Sequence, residues 1–291
     1  MTLELLAQLR LLGDRGRDLR PLNLPLGDGG QLHARQLGPA HGRPVVLLHG
    51  FCGTWRQMLV AARAIGGQRR LVLIDARGHG ASTSFVGKPT MARLADDLSE
   101  VLATLSSNAV DVVGLSMGAQ TVFEYVRRHG TARLGKIVLV DQGPRLRAAP
   151  GWPHALFGGM DDTEVAQALE TIAHQPRALG RAWLRGVWRS GESLPVRLAL
   201  TPQFLAGLPG TRADTLRLAH DMLDQDWREV VPHIDRPALL CYGGRSMYPD
   251  AGRWMHAHLP GSQLEWFAKS GHGLMFQEPA RFSQVVGRFL D

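Results

Sequence analysis

Short hydrophobic runs alternate along most of the chain with longer stretches in which apolar residues recur at helical spacing. The runs are rich in Val, Leu and Ile and end at turn residues, which is typical of strands that are covered on both faces. They occupy residues 31–37, 45–49, 71–75, 110–115, 137–141, 238–242 and 263–267. Helical periodicity marks residues 91–105, 117–129 and 279–290. This alternation predicts an α/β fold in which right-handed crossovers place helices on both faces of a mostly parallel central sheet.

The first of these runs has a predicted antiparallel neighbour. Residues 22–26 precede it, and Asp28-Gly29-Gly30 between the two segments has the composition of a hairpin turn. We therefore expect an antiparallel edge that leads into the parallel sheet.

The alternation of strand and helix stops between residues 143 and 231. Helical patterns cover residues 163–174, 177–188 and 211–223, and prolines interrupt the stretch between them. The stretch also carries Trp152, Phe157, Trp183, Trp188 and Phe204. We interpret residues 143–231 as a helical cap inserted into a core formed by residues 1–142 and 232–291. Its aromatic residues either line an apolar pocket or form the core of the cap itself.

The composition is that of a globular protein. Hydrophobic residues make up 44% of the 291 positions and charged residues 20%, which is too apolar for a disordered chain. The net charge is +7, but the basic residues are scattered, so nucleic-acid binding is not expected. The two cysteines, Cys52 and Cys241, form neither a metal-binding spacing nor a disulfide framework, which favours a reducing, cytoplasmic location.

The first twelve residues are rich in leucine, but Glu4 and Arg10 interrupt the pattern and no small-residue cleavage site follows. A signal peptide is therefore not expected, and no apolar run reaches the length of a membrane span. The leucines are spaced as in an amphipathic helix. Such a helix would pack on the body of the protein or, as the alternative, on a second subunit of a homodimer.

The strongest chemical motif is Gly114-Leu115-Ser116-Met117-Gly118, which lies between a predicted strand and a predicted helix. Small residues at both ends permit a sharp turn that pushes the serine hydroxyl out at the carboxyl edge of the sheet. This context identifies Ser116 as the candidate nucleophile.

A second segment carries candidate oxyanion donors. The strand at residues 45–48 ends in His49-Gly50-Phe51, where a glycine turn can aim the next backbone N–H group at the nucleophile. We expect the N–H groups of Phe51 and Met117 to form the oxyanion hole. His49 is interpreted as a residue that braces the turn, and nothing marks Cys52 as a nucleophile.

Ser270-Gly271-His272-Gly273 follows the last predicted strand and precedes the terminal helix. This position places an imidazole at the same sheet edge as Ser116. Because His272 combines a late position, a strand end and flanking glycines, we expect it to be the general base.

These motifs together resemble the α/β-hydrolase superfamily of esterases, lactonases, thioesterases and C–C bond hydrolases. The resemblance rests on the Leu-Leu-His-Gly-Phe run, the segment from Asp75 to Ser82, the serine elbow and Gly271-His272 with Glu278-Pro279. It covers about residues 45–142 and 232–290, and it implies the fold and a Ser-His-acid triad. Within the second motif, we expect Asp75 and Arg77 to brace the loop as a pair.

The chain departs from the resemblance at the triad acid. Many relatives place the acid in a Gly-x-x-Asp pattern after the strand that here ends at Tyr242, whereas this chain has Ser246 at that position. Asp141, at the end of the preceding strand, resembles the arrangement of certain lipases and haloalkane dehalogenases. Asp250 is the alternative acid. We favour Asp141, because it follows directly on a strand.

The expected reaction is a two-step acyl transfer on a carboxylic ester, lactone or thioester of an apolar small molecule. The alternative reaction is C–C bond cleavage or cofactor-free perhydrolysis by the same triad. The alternative from another class of protein is a ligand receptor without catalytic activity. No phosphate-binding loop, dinucleotide fingerprint or metal-binding helix motif occurs in the sequence, so neither a cofactor nor a metal is expected.

Overall fold

The computed structural model describes residues 18–65, 67–82, 87–106, 108–159, 161–174, 212–248 and 250–291. The N-terminal leucines and the helix predicted at residues 177–188 lie outside the described residues.

In the described part of the chain, eight strands form one sheet. They are β1 (Arg20–Pro25), β2 (Gln31–Leu37), β3 (Pro44–Leu48), β4 (Arg70–Ile74), β5 (Val110–Leu115), β6 (Leu134–Val140), β7 (Ala238–Gly243) and β8 (Gln263–Phe267). Their order in the sheet is β1-β2-β4-β3-β5-β6-β7-β8. Strands β1 and β2 form an antiparallel hairpin, β2 is antiparallel to β4, and all remaining neighbours are parallel. The predicted antiparallel edge and parallel sheet are confirmed.

The helices of the described residues cover the faces of the sheet and part of the predicted cap. They are α1 (Leu59–Ala64), α2 (Met91–Leu105), α3 (Met117–His129), α4 (Asp162–His174), α5 (Arg212–Asp224), α6 (Ala251–His258), α7 (Leu274–Gln277) and α8 (Pro279–Leu290). The sequence predicts α2, α3 and α8 with these bounds, but it does not predict the short helices α1, α6 and α7. Those three contain too few turns for a periodic pattern to stand out.

Apolar side chains are buried on both faces of the sheet, which explains the continuous hydrophobic runs. Every residue of β3, β5 and β7 is buried. The local sequence fixes the start of helix α2, because the Thr90 side chain caps its first turn by accepting a hydrogen bond from Arg93 N at 3.1 Å. Its buried stripe includes Leu94, Leu98 and Leu102, and each such leucine contributes about 1.5–3 kcal/mol when it is removed from water.

Between residues 143 and 231, α4 and α5 pack against each other. Trp227 anchors this stretch to the core, since it is fully buried and its Nε1 donates to Glu124 Oε2 at 2.8 Å. The boundaries of the cap remain a prediction. Within the described ranges, none of the helices has both the length and the apolar character that crossing a bilayer requires.

Candidate active site

Ser116 lies in a strained turn between β5 and α3, with φ of 52° and ψ of −117°. Residues other than glycine rarely adopt this left-handed conformation, so the neighbouring contacts must hold it. Ser116 N donates to Val140 O at 3.0 Å. A Cβ at Gly118 would collide with the Leu48 carbonyl oxygen, and one at Gly114 would collide with the backbone of Gly118. The two glycines therefore permit the close approach of strand, turn and helix that presents the Ser116 hydroxyl.

His272 and Asp141 form a buried pair at the same edge of the sheet. Nδ1 of His272 donates to Oδ2 of Asp141 at 2.7 Å, and their side chains are 5% and 0% exposed. Asp141 directly follows β6, which lies between β5 and β7, so it is one strand away from Ser116 on one side and from Gly243 on the other. Because a carboxylate only accepts hydrogen bonds, Nδ1 carries the hydrogen and Nε2 is the nitrogen that can take up a proton.

Two further donors orient the Asp141 carboxylate. Gly243 N donates to Oδ1 at 2.9 Å, and the Ser246 hydroxyl donates to Oδ2 at 2.6 Å. Ser246 occupies the position at which many relatives carry the acid. In this chain the residue at that position donates a hydrogen bond to the Asp141 carboxylate.

The two acids considered from the sequence lie in different environments. Asp141 is completely buried. Asp250 precedes α6, its side chain is 53% exposed, and it pairs with Arg253. The structure brings Asp141 to His272 and leaves Asp250 on the surface.

The loop that carries His272 is fastened to the C-terminal helices. Ser270 Oγ donates to Glu278 Oε1 at 2.5 Å, and Gly271 N donates to Gln277 Oε1 at 2.7 Å. These bonds hold the backbone on the N-terminal side of the imidazole and limit the freedom of the ring.

Two side chains that the sequence did not single out lie beside Ser116. Oε1 of Gln142 accepts hydrogen bonds from Ser116 Oγ at 3.3 Å and from the Tyr248 hydroxyl at 3.0 Å. The Tyr248 ring stands edge-on to His272, with 5.8 Å between the ring centroids. Gln142 directly follows Asp141, but Tyr248 lies 106 positions away from Gln142 along the chain. Only the folded chain brings these groups together, so no local pattern marks them.

Burial raises the pKa of Tyr248 well above its usual range, and the charge of Asp141 raises it further. The phenol therefore stays protonated at all ordinary pH values. It acts as a permanent hydrogen-bond donor to Gln142.

The loop that carries the expected oxyanion donor Phe51 abuts the nucleophile. A Cβ built on Gly50 would lie 3.3 Å from the Ser116 Cβ. Gly50 N donates to Gln57 Oε1 at 3.2 Å, which fixes the start of the loop. Met117, the other expected donor, begins α3, where the first N–H groups have no acceptor within the helix. Both candidates thus belong to segments that adjoin Ser116, and their role as oxyanion donors remains a prediction.

The imidazoles of His49 and His79 hold this loop in place through hydrogen bonds to the backbone. His49 Nε2 accepts from Ala76 N at 3.0 Å, and its Nδ1 donates to Gly50 O at 2.7 Å. His79 Nε2 accepts from Cys52 N at 3.2 Å, and its Nδ1 donates to a carbonyl oxygen of its own loop. Each ring acts once as acceptor and once as donor, which only a neutral imidazole can do. These contacts agree with the bracing role predicted for His49.

Burial keeps both rings neutral. Burial, together with the neighbouring His49, lowers the pKa of His79 to about 3. Burial also lowers the pKa of His49. The two ring centroids are 5.1 Å apart, so a proton on either ring would disfavour a proton on the other.

Asp75 and Arg77 have other partners than the pair predicted from the sequence. Asp75 Oδ2 binds His33 Nδ1 at 2.9 Å, and its Oδ1 accepts from Trp55 N at 2.7 Å. The fully buried Arg77 forms ion pairs with Asp97 at 2.7 Å and with Asp28 at 2.9 Å. The predicted pairing was wrong because an adjacent helix and a hairpin turn, both distant in sequence, supply the carboxylates.

The aromatic residues of the predicted cap differ in their surroundings. Trp152 is buried and packs edge-on against Trp254, with 5.0 Å between ring centroids, so it contributes to packing. Phe157 is 68% exposed, and its N–H donates to Met247 O at 2.6 Å. The remaining three, Trp183, Trp188 and Phe204, lie outside the described residues.

Comparison with known proteins agrees with this architecture. The chain is 37% identical to the non-heme chloroperoxidase CPO-A1 of Kitasatospora aureofaciens, with 91% of this chain and 97% of that protein covered. It is 28% identical to the pimeloyl-[acyl-carrier protein] methyl ester esterase of Chromobacterium violaceum, with 86% and 95% covered. The solved structure of an esterase from Exiguobacterium antarcticum superposes with a TM-score of 0.84 at 23% identity, covering 94% of this chain and all of that one. This last likeness concerns the fold.

The sequence model of the α/β hydrolase family matches residues 45–285. The match spans the elbow, both segments of the predicted core and the stretch between them. Together with the sheet order and the identity to the chloroperoxidase, it shows that the chain belongs to the α/β hydrolase family.

Proposed function

We propose that this protein is a serine esterase that cleaves carboxylic esters of apolar small molecules through an acyl-enzyme on Ser116. In this proposal His272 is the general base, Asp141 is the triad acid, and the N–H groups of Phe51 and Met117 bind the oxyanion. The observation that carries it is the buried bond of 2.7 Å between His272 Nδ1 and Asp141 Oδ2 at the edge where the elbow presents Ser116.

The first step forms the acyl-enzyme. Oγ of Ser116 attacks the carbonyl carbon while His272 Nε2 takes its proton, and the carbonyl oxygen becomes an oxyanion. The tetrahedral intermediate then expels the alcohol, which receives the proton from His272 as it leaves. Asp141 stabilises the imidazolium that exists between these two transfers.

The second step releases the acid. Water attacks the acyl carbon, His272 takes one of its protons, and the bond between the acyl carbon and Ser116 Oγ breaks. The proton returns from His272 to Oγ, which restores the free enzyme. The same backbone donors serve both tetrahedral intermediates.

An apolar substrate is supported by two observations. Phe157 is an exposed apolar residue, and its backbone N–H donates to Met247 O, so its backbone adjoins the segment that carries Tyr248. One of the similar proteins is a methyl ester esterase. In this proposal residues 143–231 form a cap over the sheet edge, and Phe157 contacts the acyl or alcohol part of the ester.

The test is steady-state hydrolysis of p-nitrophenyl esters of increasing acyl length, with acyl thioesters and lactones alongside, by wild type and Ser116→Ala. We expect the variant to lose at least about 10⁴-fold in kcat on the esters. Thr121→Val is a matched control, because it also removes a hydroxyl close to the start of α3, one that donates to Met117 O at 2.9 Å. Equal turnover by wild type and Ser116→Ala would contradict the proposal.

Perhydrolysis is a second candidate, and it is favoured by the 37% identity to a non-heme chloroperoxidase. Hydrogen peroxide would take the place of water, attack the acyl carbon and leave as a peroxycarboxylic acid after transfer of one proton through His272 to Ser116. Assaying peroxycarboxylic acid in the presence of acetate or an ester and hydrogen peroxide distinguishes this activity from simple hydrolysis.

A further inference from the structure

We propose that Gln142 binds the water molecule that releases the acyl group, an inference that rests on the proposed esterase function. The amide oxygen of Gln142 lies 3.3 Å from Ser116 Oγ in the free enzyme. Gln142 is 1% exposed and directly follows Asp141. It therefore adjoins the reacting oxygen as part of the buried structure.

The orientation of this amide is fixed by its three contacts. Oε1 accepts from two hydroxyl groups, those of Ser116 and Tyr248, while Nε2 donates to Gly143 O at 3.1 Å. A flipped amide would direct its oxygen at another carbonyl oxygen, which is unfavourable. Oε1 therefore faces Ser116, and both of its lone pairs are occupied in the free enzyme.

Acylation removes one of the two hydrogen-bond donors to Gln142 Oε1. The Ser116 proton leaves with the alcohol, so Oγ becomes an ester oxygen that has no hydrogen to donate. One lone pair of Gln142 Oε1 loses its donor, while Tyr248 keeps the amide in place through the other. A buried acceptor without a donor is costly, so the acyl-enzyme gains a site for a hydrogen-bond donor beside the ester bond.

A water molecule fits this site because it carries two hydrogens. In deacylation, one O–H is directed at His272 Nε2 and its proton is transferred there. The other O–H remains on the oxygen that becomes the new carboxylic acid, and it needs an acceptor during the attack. Gln142 Oε1 supplies this acceptor, so the water is held by two bonds instead of one, which favours the orientation required for attack.

An alcohol provides the matching control nucleophile, since methanol carries a single O–H, which His272 consumes. We would incubate the enzyme with p-nitrophenyl butyrate in water containing a fixed concentration of methanol, and measure butyric acid and methyl butyrate. Both products arise from one acyl-enzyme. Their ratio is therefore independent of the fraction of folded protein and of the acylation rate.

We expect Gln142→Leu to lower the ratio of hydrolysis to methanolysis about five- to tenfold, as the loss of one hydrogen bond to water predicts. Tyr248→Phe keeps the Gln142 amide and removes one of the hydrogen bonds that orient it. The ratio of hydrolysis to methanolysis in this variant should therefore differ from wild type by less than about twofold. Gln120→Leu is the matched control, because Gln120 is another buried glutamine, four residues after Ser116, and its side-chain amide has no hydrogen-bond partner among the described residues. Its ratio should equal that of wild type.

The double variant Gln142→Leu/Tyr248→Phe keeps the test decisive if the single variant folds poorly, because it removes both partners of the buried bond together. It should show the same low ratio. A ratio within about twofold of wild type in both Gln142 variants would overturn the inference, as would an equal fall in Tyr248→Phe, which would place the acceptor on the tyrosine. If wild type forms neither product, the esterase proposal itself fails, and this outcome is distinct from a failure of the Gln142 assignment.

Discussion

Different kinds of group lie on the two sides of Ser116, which we call the backbone flank (residues 49–53) and the side-chain flank (the loops after β6 and β7). The loop at residues 49–53 carries the backbone N–H group of Phe51, the expected oxyanion donor. Hydrogen bonds to the neutral imidazoles of His49 and His79 and to the side chain of Gln57 hold this loop in place. The loops after β6 and β7 offer side chains instead: the Asp141 carboxylate, the Gln142 amide and the hydroxyl groups of Ser246 and Tyr248. The backbone flank depends on the shape of the loop, whereas the side-chain flank depends on the identity of each residue.

The difference between the two flanks explains why the departure from the family resemblance falls at the position of the triad acid. A backbone donor cannot be moved to another residue without rebuilding the loop. A carboxylate can be supplied from either of two neighbouring strand ends, provided that it reaches Nδ1 of the same imidazole. Asp141 and Ser246 touch each other at 2.6 Å, so the two alternative positions for the acid are in direct contact in this fold.

The largest effect is expected on the side-chain flank. Asp141→Asn should lower kcat on a p-nitrophenyl ester by about 10⁴-fold, because an amide neither fixes the required tautomer nor stabilises the imidazolium. KM should change little, since Asp141 does not contact the substrate in this account. A loss of less than about tenfold would show that another group supplies the acid.

A substitution at Ser246 tests whether the acid can be supplied from the neighbouring strand end. Ser246→Asp in the Asp141→Asn background should recover at least about tenfold of the lost kcat, because it places a carboxylate next to the same imidazole. Ser246→Asn in the same background is the control that adds similar volume without charge. Equal activity of these two double variants would show that the flank does not accept the acid at position 246.

The next effect concerns stability and the backbone flank. In the unfolded chain His79 titrates near 6.5, whereas in the fold its pKa is about 3. Between these values the unfolded state binds more protons, so the free energy of unfolding should fall as the pH drops from about 6.5 towards 3, by on the order of a few kcal/mol. His79→Gln keeps an acceptor for Cys52 N and removes the titrating ring, so its stability should decline less steeply.

Urea denaturation at several pH values between 4 and 7 measures this slope. The exposed His256→Gln should retain the slope of wild type, which controls for the loss of a histidine as such. The same slope in His79→Gln and wild type would contradict the assignment of a buried, neutral His79.

A smaller effect on catalysis is expected at the same residue. His79→Leu removes the acceptor of Cys52 N, one residue from the expected oxyanion donor Phe51, and should lower kcat about tenfold through a misplaced loop. His79→Gln should lie closer to wild type. If the two variants have equal kcat, the bond to Cys52 does not position the loop.

The smallest effect is expected at the surface alternative. Among the described residues, Asp250→Asn breaks an exposed ion pair with Arg253 and no other side-chain contact. It should leave kcat unchanged and alter the free energy of unfolding by less than about 1 kcal/mol. A large loss of kcat in this variant would reverse the ranking of the two acids.

The two flanks also differ in how much the sequence predicts. The bounds of β2, β5 and β8 follow from hydrophobic runs that end at turn residues, and those of α2 and α3 follow from helical periodicity. The elbow and the Gly50 turn are marked by glycines that the backbone geometry requires. Ser116 and Asp141 could be selected because each directly follows a strand, and His272 because it lies between glycines in the loop after the last strand. Gln142 and Tyr248 could not be selected, because their importance arises from contacts between residues 26 and 106 positions apart. The partners of Asp75 and Arg77 were missed for the same reason.

Detection of the acyl-enzyme on Ser116 would establish the nucleophile and the covalent mechanism in one experiment. The enzyme is mixed rapidly with a p-nitrophenyl ester, quenched in acid during the first turnover, and analysed by mass spectrometry of the intact protein and its peptides. We expect one acyl group per chain, located on Ser116 and absent from Ser116→Ala. Release of p-nitrophenol by an unmodified chain, or an acyl group on another residue, would contradict it.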